Sequence, residues 1–277
     1  MRSRALRRFL RNRPAVVGSA VVVAFILLAL LAPWVSPYSP TAANFLAVMR
    51  PPSPAHLLGT DELGRDILSR VISGARVSLS VGVVAVAIAI LIGVPIGMVA
   101  GLAGGWTEEL IMRVTDALLA FPFLIFALAL AAILGPSLQN SMLAIGFASL
   151  PVYVRIARGQ VVAERGKEYV QAAVALGSGS GRLLLRHLLP NIASVLLVQA
   201  TLNVATAIIA EASLSFLGLG VQPPTPSWGS MLNTADNIGY LHAAPWMAVA
   251  PGATILIAVL AFNLLGDGLR DALDVAS

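Results

Sequence analysis

The chain has 277 residues, of which 58% are hydrophobic and only 11% charged. A soluble globular domain is nearer a quarter charged, so the composition excludes an ordinary soluble enzyme and points to an integral membrane protein. There is no Cys, which removes disulfides, thiol catalysis and cysteine-ligated metal, and the net charge of +5 reads as cationic flanks of membrane spans rather than a nucleic-acid surface.

Six Arg residues precede an uncharged run that begins at Pro14. The run resembles the core of a signal peptide, but it is too long, and no small-x-small cleavage site follows. It predicts a retained first span over roughly 15–33. Residues 34–76 are polar and Pro-rich. Arg76 and Glu108 then bound 31 uncharged residues, which hold a second span over roughly 78–100, with Pro95 as a candidate kink. Asp116 and Arg155 bound 38 more. A single helix of that length would be ~57 Å long, too long for the bilayer. The sequence Leu134–Ser141 supplies a break, so two spans are expected over roughly 113–134 and 140–157. A fifth span follows at roughly 193–211 and a sixth at roughly 246–266.

Six spans put both termini on one side. Cytoplasmic termini leave 14 basic residues inside and four outside, the asymmetry expected of a membrane protein.

The catalytic motifs are missing. The only Lys, Lys167, lies in ERGKEY, which lacks the Gly spacing and the Ser/Thr of a phosphate loop, so the chain is expected to bind no ATP itself. His56, His187 and His242 lack helical zinc spacing. His187 reads as a helix-end residue, and the other two as solvated loop histidines. Ser213 and Ser215 lack the G-x-S-x-G setting of a hydrolase. Asp116, Glu211 and Asp267 all fall near span ends, so no proton relay is expected. Arg113 and Asp116 are expected to pair at i, i+3. Gln199, Asn203 and Glu211 are polar positions on the fifth span, candidates for a solute pathway or for helix packing.

Between Arg158 and Asn191 the chain is polar for longer than an ordinary helix connection. Residues 160–176 carry apolar positions at helical spacing, Gly177 supplies a stop, and SGSG permits a reversal. Arg182–Leu189 predicts a second short helix with Arg182 and Arg186 on one face, ended or kinked by Pro190. Ala172 and Ala173, flanked by Tyr169 and Leu176, are expected to be exposed. Small and apolar residues on an exposed helix suit docking into a partner's groove.

QAAVALG followed by HLLP, at Gln171–Gly177 and His187–Pro190, resembles the EAA loop of binding-protein-dependent ABC importer permeases. Ala172, Ala173, Gly177, Leu189 and Pro190 match that pattern in register, with Gln171 in place of its Glu and His187 in place of its Ile. Three further stretches, His56–Leu79, Arg113–Leu138 and Glu211–Leu232, resemble the shorter permease of the dipeptide/oligopeptide/nickel branch. The resemblance implies an all-α type I ABC importer transmembrane fold with six transmembrane helices in the plasma (inner) membrane. It implies residues 1–75 as a basic segment, first helix and outer loop, 76–266 as the permease core with its EAA loop at 159–192, and 267–277 as a cytoplasmic tail. The loops at 34–75 and 213–245 would face the binding protein. It further implies a second homologous permease, an extracytoplasmic substrate-binding protein, and two cytoplasmic ATPases that hold ATP and Mg. Glu168–Gly177 would be the coupling helix, and Glu168, Tyr169, Gln171, Ala172, Ala173, Leu176, Gly177, Arg182, Arg186, Leu189 and Pro190 the ATPase-facing loop. The branch carries dipeptides, longer peptides, glutathione and nickel complexes. A stand-alone secondary transporter would need mid-membrane charge and often two related halves, and neither is found.

Overall fold

The structure, a computed structural model, describes residues 2–235 and 238–273. A short helix α1 (Arg2–Arg11) is followed by α2 (Arg13–Val35). Asn12 separates them in extended backbone, and its side chain caps α2 by accepting from the Ala15 N–H at 3.2 Å. Pro14 sits in the first turn of α2, where its missing N–H costs nothing. The chain then runs through a long loop with a 3₁₀ turn at Phe45–Ala47 and enters α3 (Ile67–Ala103), capped by Asp66. Helices α4 (Gly105–Leu119), α5 (Phe123–Leu134) and α6 (Leu138–Arg165) follow. Then come α7 (Glu168–Ala175), α8 (Ser180–Arg182), a π-helical turn at Leu183–Leu188, and α9 (Leu189–Phe216). Two short helices, α10 (Trp228–Ala235) and α11 (Ile238–Ala243), precede α12 (Trp246–Leu273). Among the described residues there is no strand, only an isolated bridge between Thr60 and Asp66.

Among the described residues, five helices are long and apolar enough to cross a membrane: α2, α3, α6, the continuous rod Ser180–Phe216, and α12. The third predicted span is not one helix. Its two halves, α4 and α5, meet at 90°, and they make a sixth crossing only when counted together. The corner is Ala120–Pro122. Pro122 lacks an amide proton to continue the α4 ladder, and its ring pushes Phe121 out of helical geometry. By contrast α3 continues through Pro95 and begins at Ile67, about three turns before the charge-free run that follows Arg76. Pro190 ends no helix either. The π turn ahead of it carries bonds one residue longer than usual, which absorbs the ring, and the rod runs on into α9.

The bundle is held by small residues. Gly93, Gly97 and Gly101 of α3 lie one turn apart and face Leu150, Val154 and Arg158 of α6. A Cβ at Gly97 would stand 2.3 Å from the Val154 carbonyl oxygen, so only Gly lets these backbones meet. Gly18 of α2 meets Ala261 and Leu264 of α12 in the same way, and Gly268 of α12 meets Ala15. At one end of the bundle lie both ends of the described chain, the α3–α4 turn and the α6–α9 connection. The other, far end carries residues 36–66, 217–235 and 238–245. α12 continues as helix through Asp267 to Leu273.

Candidate functional site

At the end with the chain termini, the connection between α6 and α9 projects α7. Its entry is stapled by side chains. Glu164 accepts from the Lys167 ammonium at 2.7 Å and from the Tyr169 hydroxyl at 2.6 Å, and the Gln171 amide donates to the Gly166 carbonyl. Burial, then the Glu164 carboxylate, push the Tyr169 phenol up to about 12, so it stays a donor. Gly177, at a φ of +81°, closes α7. Its N–H bonds the Val174 carbonyl, and the Ser178 N–H bonds the Ala173 carbonyl, the paired arrangement that satisfies a helix end.

One face of α7 is turned inward. Val170 and Ala173 are buried against the bundle with Leu183 and Leu188 of the π turn. This corrects the expectation for Ala173. The short α7 packs back on the bundle through Val170 and Ala173, three residues apart on one face, and only Ala172 of the two alanines is exposed. Glu168, Tyr169, Gln171, Val174 and Leu176 point outward, as do Arg182 and Arg186. Leu176 is 88% exposed, the most exposed large apolar side chain among the described residues. Pro190 is exposed beside the half-buried Leu189.

The fifth-span residues lie apart from this loop. The Gln199 amide donates to Asn203 at 2.9 Å, one turn along α9. Gln199 also lines a cavity of about 500 Å³ between α6, α9 and α12, with Arg155, Gln160, Ser194 and Arg270 around it. Glu211 is 1% exposed and ties three elements together. It accepts from Ser78 of α3 at 2.8 Å and from Ser215 of α9 at 2.7 Å, while the Trp228 N–H at the start of α10 reaches the Ser78 hydroxyl. Such a buried carboxylate is tolerable because its oxygens are satisfied.

Two side-chain expectations change. Arg113 pairs with Glu109 rather than Asp116, and Asp116 turns across to Arg155 of α6 at 2.5 Å. His56 is no free loop histidine: its Nδ1 lies 2.9 Å from Asp66, the cap of α3, under the ring of Tyr38. His242 is exposed.

A far-end cluster went unassigned in the sequence reading. Arg65 Nε meets Asp61 at 2.7 Å, Arg65 Nη2 meets Glu62 at 2.7 Å, and Arg70 Nε meets Asp61 at 3.3 Å. The signal was present as Asp61/Arg65, an acid–base pair four residues apart in GTDELGRDILSR, whereas Arg70 crosses to Asp61 and leaves Asp66 to His56 and Ser69. Burial, reinforced by Asp61, holds the Glu62 carboxyl above its ordinary value. Among the described residues, no three His, Cys, Asp or Glu stand close enough to hold a metal ion.

The described residues thus form a multi-pass helical bundle with a loop helix exposed at one end. Residues 93–276 match the family described as binding-protein-dependent transport system inner membrane component, and residues 1–52 match the N-terminal TM domain of oligopeptide transport permease C. The chain is 44% identical over 270 residues to the dipeptide transport system permease protein DppC of Alkalihalophilus pseudofirmus, covering 98% of this chain and 88% of that one. It is 47% identical to the di/tripeptide transport system permease protein DppC of Pseudomonas aeruginosa, covering 96% and 89%. It is 44% identical to the probable D,D-dipeptide transport system permease protein DdpC of Escherichia coli, covering 96% and 89%. Among solved structures, a chain of the inward-facing MetNI methionine ABC transporter shares the fold, with a TM-score of 0.62 at 18% identity, covering 74% of this chain and 97% of that one. The chain therefore belongs to the binding-protein-dependent transport system inner membrane component family.

Proposed function

We propose that this chain is one of two permease subunits of an ATP-driven peptide importer, with α7 as the element that docks on a cytoplasmic ATPase. The observation that carries the docking is Leu176. A leucine held 88% exposed at the tip of a stapled, Schellman-closed turn is a costly thing to leave in water, and a partner's groove removes the cost. In this reading Glu168–Gly177 seats in the ATPase, and Arg182 and Arg186 line the rim. ATP and Mg belong to the ATPase partners, and this chain supplies no group to hydrolysis. Both termini lie in the cytoplasm, the multi-pass chain sits in the plasma (inner) membrane, and an extracytoplasmic binding protein delivers solute to the far-end loops. The permease core spans 76–266. Alternating access then needs only two packings of these helices.

The relatives' names support di- and tripeptides as the solute, and no observation favours nickel complexes or glutathione. Gln199 lines a cavity between helices and Asn203 accepts from it one turn along, and the pair is assigned to the pathway. Glu211 is assigned to fastening.

The test is a Gly177→Trp permease in the assembled transporter. The complex is expected to assemble and hydrolyse ATP at its basal rate, and to lose the stimulation given by peptide-loaded binding protein. Undiminished stimulation would refute α7 as the coupling element. A transporter that answers only to a non-peptide ligand would refute the solute instead.

A further inference from the structure

α1 is a separate helix, not an extension of the first span. Asn12 breaks the axis, and α2 begins at Arg13. Joined by one residue to the start of a membrane span, α1 ends at the level where that span would enter the bilayer. Its sequence is amphipathic in register. At 100° per residue, Arg7, Arg8 and Arg11 fall on one side and Phe9 and Leu10 on the other. Arg7, Arg8 and Arg11 are exposed, as is Arg13 just beyond. No carboxylate precedes Asp61 in the chain, Asp271 of α12 accepts from Asn12, and among the described residues none of the three arginines forms an ion pair. Leu10 is 60% exposed on the apolar side, and Phe9 lays its ring over Gly268 of α12. The Asn12 amide also donates to Asp271 of α12 at 3.0 Å.

We infer that α1 is an interfacial helix that binds anionic phospholipid headgroups through Arg7, Arg8 and Arg11, with Leu10 in the acyl boundary. Charge complementarity selects this occupant. The Arg face carries no ion pair among the described residues, its attachment to α2 puts it where the first span would meet the headgroups, and the exposed leucine on the opposite side fits the acyl region rather than water. An acidic protein surface would meet the arginines but leave Leu10 unexplained. Because Phe9 and Asn12 hold α1 to the last turns of α12, the lipid contact also fixes the end of the last span. The sequence reading took these arginines only as a topological flank, since the break at Asn12 is visible only in the backbone.

The chain has no Cys, so a Leu10→Cys variant carries a single environment-sensitive fluorophore. The assembled transporter is placed in vesicles of phosphatidylcholine alone, or with phosphatidylglycerol added. The emission is expected to shift to the blue in phosphatidylglycerol and to return in high salt, since the Debye length shrinks to a few ångströms. An added Arg7→Gln/Arg8→Gln/Arg11→Gln change is expected to lower the anionic-over-neutral preference on the order of a hundredfold. The corresponding triple Arg→Lys change keeps the charge and is expected to keep the preference. Equal emission in both lipids overturns the inference, and so does a Gln variant that still answers to phosphatidylglycerol. A shift that depends on the ATPase subunits and not on the lipid makes the Arg face a protein contact, which also overturns it.

Discussion

The two ends of the bundle are built on opposite rules. At the far end, polar groups are buried and paired: Asp61, Arg65 and Arg70 in one cluster, Asp66 with His56 and Ser69 in another, and Glu211 with Ser78 and Ser215 below them. Two tryptophans fasten it, Trp228 to the Val71 carbonyl and Trp246 to the Thr60 carbonyl. At the other end, the α7 connection keeps its polar groups exposed and leaves Val174, Leu176 and Leu185 in the open. Glycines make the contrast concrete. Gly229 has the Ala212 backbone 2.4 Å from where its Cβ would be, whereas Gly166, Gly177, Gly179 and Gly181 have nothing within 4 Å. The far end pairs its polar groups within the chain, whereas the α7 end is ordered locally and leaves its large apolar side chains exposed.

The sharpest way to break this contrast is to add one methyl group at each end. Gly229→Ala forces its Cβ into the Ala212 backbone, which cannot swing aside as a side chain would. Overpacking of this kind costs about 2–3 kcal/mol. Gly179→Ala, at a φ of −69° with open space around it, should change stability by no more than about 0.5 kcal/mol. Denaturation of the two variants in the same detergent compares them directly. Equal midpoints would mean that the far end is not the rigid one.

A smaller effect on the fold, with a larger one on assembly, is expected at Leu176. Leu176→Ser removes an exposed side chain that touches little of its own protein, so the unfolding midpoint of the isolated permease should stay within error. Binding of the ATPase subunits should weaken roughly tenfold, the loss of an apolar side chain worth about 1.5 kcal/mol when buried. Titration of purified ATPase onto the reconstituted permease measures it. A destabilised permease would show that Leu176 packs within its own chain.

The amount legible in the sequence differs between the ends for the same reason. The α7 connection was readable because its structure is local: a helix-forming run, a Gly at the stop and a flexible SGSG reversal act within a few residues. What escaped was the break at Gly166 and Lys167, which divides 160–176 between α6 and α7, and which alanine faces inward, since Ala173 is buried with Leu183 and Leu188 across the turn. Span positions were legible from charge-free runs. The 90° corner before Pro122 was not, because an apolar run reads alike whether straight or bent. The far end was nearly opaque. Its arginines and carboxylates looked like a solvated loop, and only the pairing of residues 56–70 with each other and with 217–246 buries them. The glycines at 93, 97 and 101 stood in view one turn apart, but their meaning depends on the α6 backbone opposite.

Glu62 offers the mildest probe of the far end, through pH. Its carboxyl is held above the ordinary 4.5 by burial first and by Asp61 second, with Arg65 and Arg70 acting against them. The folded chain thus keeps a proton that the unfolded chain has released. Linkage then fixes the sign: this contribution to stability is fully present below 4.5 and is lost as pH rises through the raised value. Glu62→Gln carries no titrating proton, still accepts from Arg65, and should flatten that part of the stability–pH curve, matching the wild type on the acid side and standing above it on the alkaline side. Unfolding midpoints of both proteins across the mildly acidic range decide it. A wild-type curve that rises through this interval, or a Gln variant with the same slope, would mean that the far-end cluster is open to water and that the contrast between the two ends is weaker than its packing implies.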